Sequence, residues 1–219
     1  KTGLSSDAQL GDWLAPQNNA LGAPFLATAY HAFSLDIMAK AAGVLGKSAD
    51  AAKYKALYEK RKAFFNATFV NAGKKTIGIA GRGGFGRPGA AAAPPEFKLA
   101  DTQTSYAVGL ALGVFSDENI PHMVKNLADT VIRENKDDDG KMRPSHSLMT
   151  GFIGTAWISK ALSDSGHSEL AYRILQNSQY PSWLYAIDQG ATSIWERLNG
   201  YTVENGFGGN NSMNSFNHY

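Results

Sequence analysis

An all-α fold is predicted, with about six helices in three antiparallel hairpins joined by long loops. Three observations predict it. Apolar residues recur at three- and four-residue spacing in six separate segments. Alternating apolar and polar runs, the mark of a half-buried strand, are nearly absent. The conspicuous residues, Trp13, Trp183, Trp195 and a Gly/Asn-rich tail, lie between or after the helical segments. No short-period repeat is evident, so a simple solenoid is disfavoured. An α/α toroid, with inner and outer helices alternating and a site carried on its loops, fits better.

The first nineteen residues read as a loop around Gly11-Asp12-Trp13. A helix follows over Ala23–Leu45, its stripe running through Phe25, Leu26, Ala29, Tyr30, Phe33, Ile37, Met38 and Ala41. Ser48 or Asp50 then caps a second helix whose stripe holds Tyr54, Leu57, Tyr58, Phe64 and Phe65. Residues 71–99 change character, with clustered glycines from Gly78 to Gly89 and prolines at 88, 94 and 95. That composition predicts a long Gly/Pro/Ala-rich loop inserted within one domain. Helical spacing returns over Thr102–Phe115 and Pro121–Glu134, with Ser116 or Asp117 as a cap between them, and over Gly151–Leu162 and Ser168–Asn177. Lys136–Gly140 reads as a solvated turn, and the tail from Gln179 breaks into short pieces.

Composition excludes several function classes. The chain has 219 residues, 43% of them hydrophobic, which suffices for one large domain. Lys and Arg total 21 against 19 Asp and Glu, so no basic face for nucleic acid is expected. No apolar run approaches the roughly 18 residues of a membrane span, and no membrane partner is expected. Zero cysteines remove disulfides, thiolate metal sites and a Cys nucleophile. The five histidines show no paired spacing of a zinc site, and Asp137–Asp139 lacks the ligand pattern of a calcium loop. Neither a metal nor another cofactor is expected. Gly81–Gly86 reads as a loop and not a phosphate cradle, and Asn66-Ala-Thr68 and Asn210-Asn-Ser212 fit a glycosylation sequon. A secreted or periplasmic location is favoured over a cytoplasmic one.

Three clusters could carry chemistry. Tyr180–Gly200 combines indoles, phenols and carboxylates, the set that sugar recognition requires: an aromatic face stacks on pyranose C–H bonds while polar groups take hydroxyls. Within it Glu196 stands between Trp195 and Arg197. Those residues could equally be a surface ion pair beside a core indole. Gly11-Asp12-Trp13 offers a stacking platform in Trp13 and a hydroxyl acceptor in Asp12, or else a tight turn in which Asp12 caps backbone amides. Asn210–Tyr219 concentrates amides around His218, in either a sugar-contact loop or a polar tail.

GDWLAP at 11–16, TQTSYAVGLALGVF at 102–115, TGFIGT at 150–155, YPSW and GATSIWERLNG within 180–200, and MNSFNHY at 213–219 occur in this order. Together they resemble the catalytic domain of bacterial and fungal α-L-rhamnosidases, glycoside hydrolase family 78, across essentially the whole chain. The resemblance implies an (α/α)6 barrel that hydrolyses terminal α-L-rhamnosyl linkages with inversion, acting on a rhamnose-containing glycoside or polysaccharide. It makes Glu196 the general base and puts Trp13 and His218 on the sugar, with Asp12 and Trp195 adjacent. The family's general acid lies upstream of its GDW motif, and residues 1–10 do not resemble that segment. A barrel of this kind has twelve helices, so the chain is expected to form about half of one, without the upstream half and without the family's C-terminal β domain. Two other readings are a non-catalytic carbohydrate-binding helical module and a different α/α-barrel enzyme, such as a polysaccharide lyase.

Overall fold

A computed structural model describes residues 11–17, 21–79, 96–207 and 214–218. Its helices form three hairpins: α1 (Ala23–Val44) with α2 (Ser48–Phe69), α3 (Gln103–Ala111) with α4 (Ile120–Ile132), and α5 (Phe152–Asp164) with α6 (Ser168–Leu175). A short α7 (Trp183–Asp188) follows. Helix α3 packs on α5 and also touches α1, while α4 touches α6, which is the layering of a toroid segment. The turns after α1 and α5 are short, at residues 45–47 and 165–167. The connections before α3, α5 and α7 are longer and gather at the opposite end. The sequence-predicted helices and hairpins are all present.

Local chemistry explains the boundaries. Gly22 enters α1 with φ 68°, and a Cβ there would lie 2.0 Å from the Ile79 carbonyl oxygen, so only glycine fits. Pro24 follows in the first turn, where a missing N–H costs nothing. Helix α2 begins at Ser48 itself, because Ala51 N–H already bonds the Lys47 carbonyl at 2.9 Å. The predicted Ser116 or Asp117 cap is replaced by Asn119 at the start of α4. Helix α3 is buried from Gln103 through Gly109, and Thr102 caps it by accepting from Ser105 N–H at 3.3 Å. The polar members of that helix are satisfied: Gln103 donates to the Ser147 carbonyl at 2.9 Å and accepts from Met149 N–H at 3.0 Å.

The core gathers Phe25, Phe65, Phe69 and Phe115, with Phe25 and Phe65 edge to face at 4.9 Å. The predicted α1 stripe is buried only over its first half. Ile37 and Met38 are 47% and 46% exposed, because the core cluster contacts α1 mainly through Phe25–Phe33.

Three expectations change. Residues 71–99 are not loop throughout: β1 (Ile77–Ile79) and β2 (Phe97–Leu99) pair antiparallel, with Ile77 opposite Leu99. The Gly81–Gly86 stretch between them lies outside the described residues. Lys136–Gly140 is not simply solvated. It joins β3 (Asn135–Lys136) to β4 (Met142–Arg143), and the Asp137 side chain, 6% exposed, accepts from Arg143 at 2.7 Å. Asn66 is not presented for glycosylation. Its amide donates to the Lys62 and Val114 carbonyls at 2.8 and 2.9 Å and accepts from Ser116 N–H at 2.9 Å, tying α2 to the α3–α4 turn. Asn210 lies outside the described residues.

Candidate active site

The long-loop end of the hairpins carries the predicted clusters. Gly11–Ala15 forms a tight turn in which Ala15 N–H bonds the Asp12 carbonyl at 3.0 Å and Leu14 takes φ 64°. This turn sits on the start of α5. Helix α5 has Gly151 at its N-cap and therefore no capping side chain of its own. Asp12 supplies the cap from a distant part of the chain. Its Oδ2 accepts from Gly151 N–H at 2.8 Å and from the Thr104 hydroxyl, and its Oδ1 accepts from Ile153 and Gly154 N–H at 3.0 and 2.9 Å. A carboxylate at a helix N-terminus satisfies orphan amides and faces the positive end of the dipole. Burial raises the Asp12 carboxyl above its ordinary value, against the pull of the Thr104 hydroxyl and the Gly154, Gly151 and Ile153 amides.

Asp12, expected as a hydroxyl acceptor for sugar, is thus 1% exposed and engaged inside the protein. Gly151 must be glycine for the same arrangement. A Cβ there would stand 2.2 Å from the Trp13 carbonyl oxygen and 2.5 Å from that of Asp12. Trp13 itself is 38% exposed, and its carbonyl accepts from Phe152 N–H at 3.1 Å.

The segments that carry Glu196 and His218 pair with each other. Glu196 N–H donates to the Ser215 carbonyl at 2.9 Å, Ser215 N–H donates to Glu196 Oε2 at 2.8 Å, and His218 N–H donates to the Ile194 carbonyl at 3.0 Å. The Ser193 hydroxyl adds a bond to the Phe216 carbonyl at 2.6 Å. Trp195 and Phe216 meet edge to face at 5.3 Å, and Phe216 also meets Phe207 at 5.6 Å. Gly200 leaves room for this return, since a Cβ would approach Asn214 Nδ2 to 2.8 Å. The expected alternative, a Glu196–Arg197 ion pair, does not occur among the described residues. Trp195 is partly exposed and not a core anchor.

Glu196 lines a cavity of about 240 Å³ together with Thr150, Thr155, Phe152, Trp183 and Trp195. Trp13 lines a neighbouring one of about 610 Å³ with Tyr30, Leu26 and Phe152. A larger apolar cavity of about 820 Å³ adjoins the Glu196 cavity, sharing Trp183, Trp195 and Leu198 in its lining, and no carboxylate among the described residues lines it. Phe152 and the Ser215 amide, which sequence reasoning did not single out, belong to the site. TGFIGT marks the position of Phe152, but nothing in the motif says which way its ring turns. Among the described residues no cluster of His, Asp and Glu could hold a metal ion, and no helix is long and apolar enough to cross a membrane.

Comparison with known proteins identifies the family. The profile of the bacterial alpha-L-rhamnosidase 6 hairpin glycosidase domain matches residues 1–219. An α-L-rhamnosidase of Formosa agariphila is 36% identical over 223 residues, covering 99% of this chain and 20% of the relative. One from Streptomyces avermitilis is 34% identical over 211 residues, covering 95% of this chain and 17% of the relative. The chain therefore spans about a fifth of the length of the curated relatives it matches. Among solved structures, the Streptomyces avermitilis α-L-rhamnosidase complexed with L-rhamnose superposes with a TM-score of 0.74 at 31% identity, covering 100% of this chain and 18% of that one. The Aspergillus terreus enzyme gives 0.74 at 26% identity, covering 100% and 23%. With a family profile matched from end to end and the hairpins in place, the chain belongs to the bacterial α-L-rhamnosidase six-hairpin glycosidase domain family.

Proposed function

We propose that this chain is the base-bearing part of an inverting α-L-rhamnosidase, with Glu196 as general base. The observation that carries the reading is the placement of Glu196. One carboxylate oxygen is held by the Ser215 amide, and the side chain borders an indole- and phenyl-walled cavity. A base that must take a proton from water along one direction needs its orientation fixed in this way. Water attacks the anomeric carbon on the face opposite the leaving group, its proton passes to Glu196, and a carboxylic acid protonates the departing glycosidic oxygen. The product is β-L-rhamnose. The two carboxyl groups stand roughly 6.5–9.5 Å apart in such enzymes. That acid comes from upstream of the GDW turn, in the hairpins that complete the family's six beyond the three seen among the described residues.

Trp13 stacks on the sugar, His218 and Trp195 border it, and Asp12 supports the turn from behind without touching it. The substrate is a rhamnose-containing glycoside or polysaccharide. A polysaccharide substrate is too large to enter cells, which favours a secreted or periplasmic enzyme.

The test is hydrolysis of an aryl α-L-rhamnoside by the full natural chain, with the product anomer read by proton NMR. β-L-Rhamnose is expected first. In Glu196→Gln, L-rhamnose binding persists while turnover falls by about 10³-fold or more. Near-normal turnover of that variant removes Glu196 from the base role. Rhamnose binding with no turnover in the unaltered chain would instead make this a carbohydrate-binding helical module.

A further inference from the structure

The Asp12 clamp and the Trp13 carbonyl fix the first turn of α5, and Phe152 is the first residue of that helix. Its ring lies 5.3 Å from the His218 imidazole, the planes 33° apart. Among the described residues it is also the side chain common to two cavities, the one bordered by Glu196 and the one bordered by Trp13. Phe152 is only partly buried, although the Phe25–Phe65–Phe69–Phe115 cluster shows that this fold buries other phenylalanines completely.

We propose that Phe152 is a further sugar-contact residue, its ring forming the wall between Trp13 and Glu196 on which one pyranose lies. The inference rests on the rhamnosidase reading and deepens it. A single sugar that stacks on Trp13 and presents its anomeric carbon toward Glu196 has to cross the wall the two cavities share. A phenyl ring offers that sugar an apolar face without competing for its hydroxyls. A 6-deoxyhexose, with a methyl group where other hexoses carry a hydroxymethyl, has more C–H surface to place there. The tilted ring contact puts the His218 imidazole beside the same ring, so a hydroxyl-binding group and a C–H-binding group are presented together.

The experiment measures L-rhamnose affinity by calorimetry in the full natural chain, comparing Phe152→Leu, which keeps apolar bulk but removes the ring, with Phe152→Tyr, which keeps the ring. Phe152→Leu is expected to weaken binding by about tenfold and Phe152→Tyr by no more than about threefold. In turnover the Leu variant raises KM more than it lowers kcat, as loss of a contact shared by ground and transition states does. Equal affinity of Phe152→Leu and the unaltered protein overturns the proposal while leaving the rhamnosidase reading intact. Absence of any rhamnose binding by the unaltered protein overturns both. Should Phe152→Leu fail to fold, nuclear Overhauser contacts between L-rhamnose and the Phe152 ring protons in the native protein decide the matter, and their absence overturns the proposal.

Discussion

The carboxylate of Asp12 stands where a surface turn meets a helix start, with Thr104, Gly151, Ile153 and Gly154 as its donors. Removing it leaves three amides, two of them buried, and a buried hydroxyl without an acceptor. Asp12→Ala is therefore expected to lower stability by about 3 kcal/mol or more, read by urea denaturation. A loss below about 1 kcal/mol would mean that the α5 turn holds itself. Glu196 contrasts with it at the same scale: it is partly exposed, meets one main-chain donor and borders a cavity. The sequence offered Glu196 as a base and Asp12 as either a hydroxyl acceptor or an amide cap; Asp12 is buried as a cap, and Glu196 borders the cavity. Nothing local to Asp12 could have separated the two roles, because its partners lie 92 to 142 residues away.

At the scale of elements, α5 is the part through which scaffold and site are joined. Its first turn packs closely on α3, where a Cβ at Gly154 would stand 2.3 Å from Thr104 Oγ1, and its start lies under the Gly11–Ala15 turn. Gly151→Ala forces that turn away from the helix, since the atoms in conflict are backbone and cannot rotate aside. The variant is expected to lose about 2 kcal/mol of stability. It should also bind L-rhamnose more weakly in calorimetry, because Trp13 moves with the turn; unchanged affinity would uncouple Trp13 from α5. Helices were legible because 3.6-residue periodicity extends over many residues. The ribbons were not: a strand of two or three residues has no period to detect, and β1 and β2 meet across a long insertion.

For the whole molecule, Asp101 joins three separate parts. It accepts from Lys75 at 2.7 Å beside β1, from the Tyr106 hydroxyl at 2.6 Å on α3, and from Arg133 at 2.9 Å at the end of α4. Burial pushes its carboxyl up, but the Lys75, Tyr106 and Arg133 hydrogen bonds together with the Arg133 charge outweigh that and hold it below the ordinary range. A carboxyl depressed in the folded state stabilises the protein above its unfolded pKa of about 3.9 and loses that contribution as pH falls through the lower folded value. Asp12, raised by burial, has the opposite sign, so the test is a difference: melting temperature against pH for the native protein and for Asp101→Asn. The native protein is expected to be the more stable at neutral pH, and the gap should narrow on acidification. A gap independent of pH would remove Asp101 from the linkage. By itself the sequence determined the helical class and the three hairpins, because these rest on periodicity, and the resemblance of its contiguous motifs to the family offered Glu196 as a candidate base and Trp13 and His218 as candidate sugar residues. Only the tertiary structure decided that Asp12 caps α5, that Ser215 holds Glu196 and that Phe152 stands between the two cavities. Each depends on segments remote in sequence meeting at a single point, and hydrogen bonds and ring contacts at that range leave no local pattern in the chain.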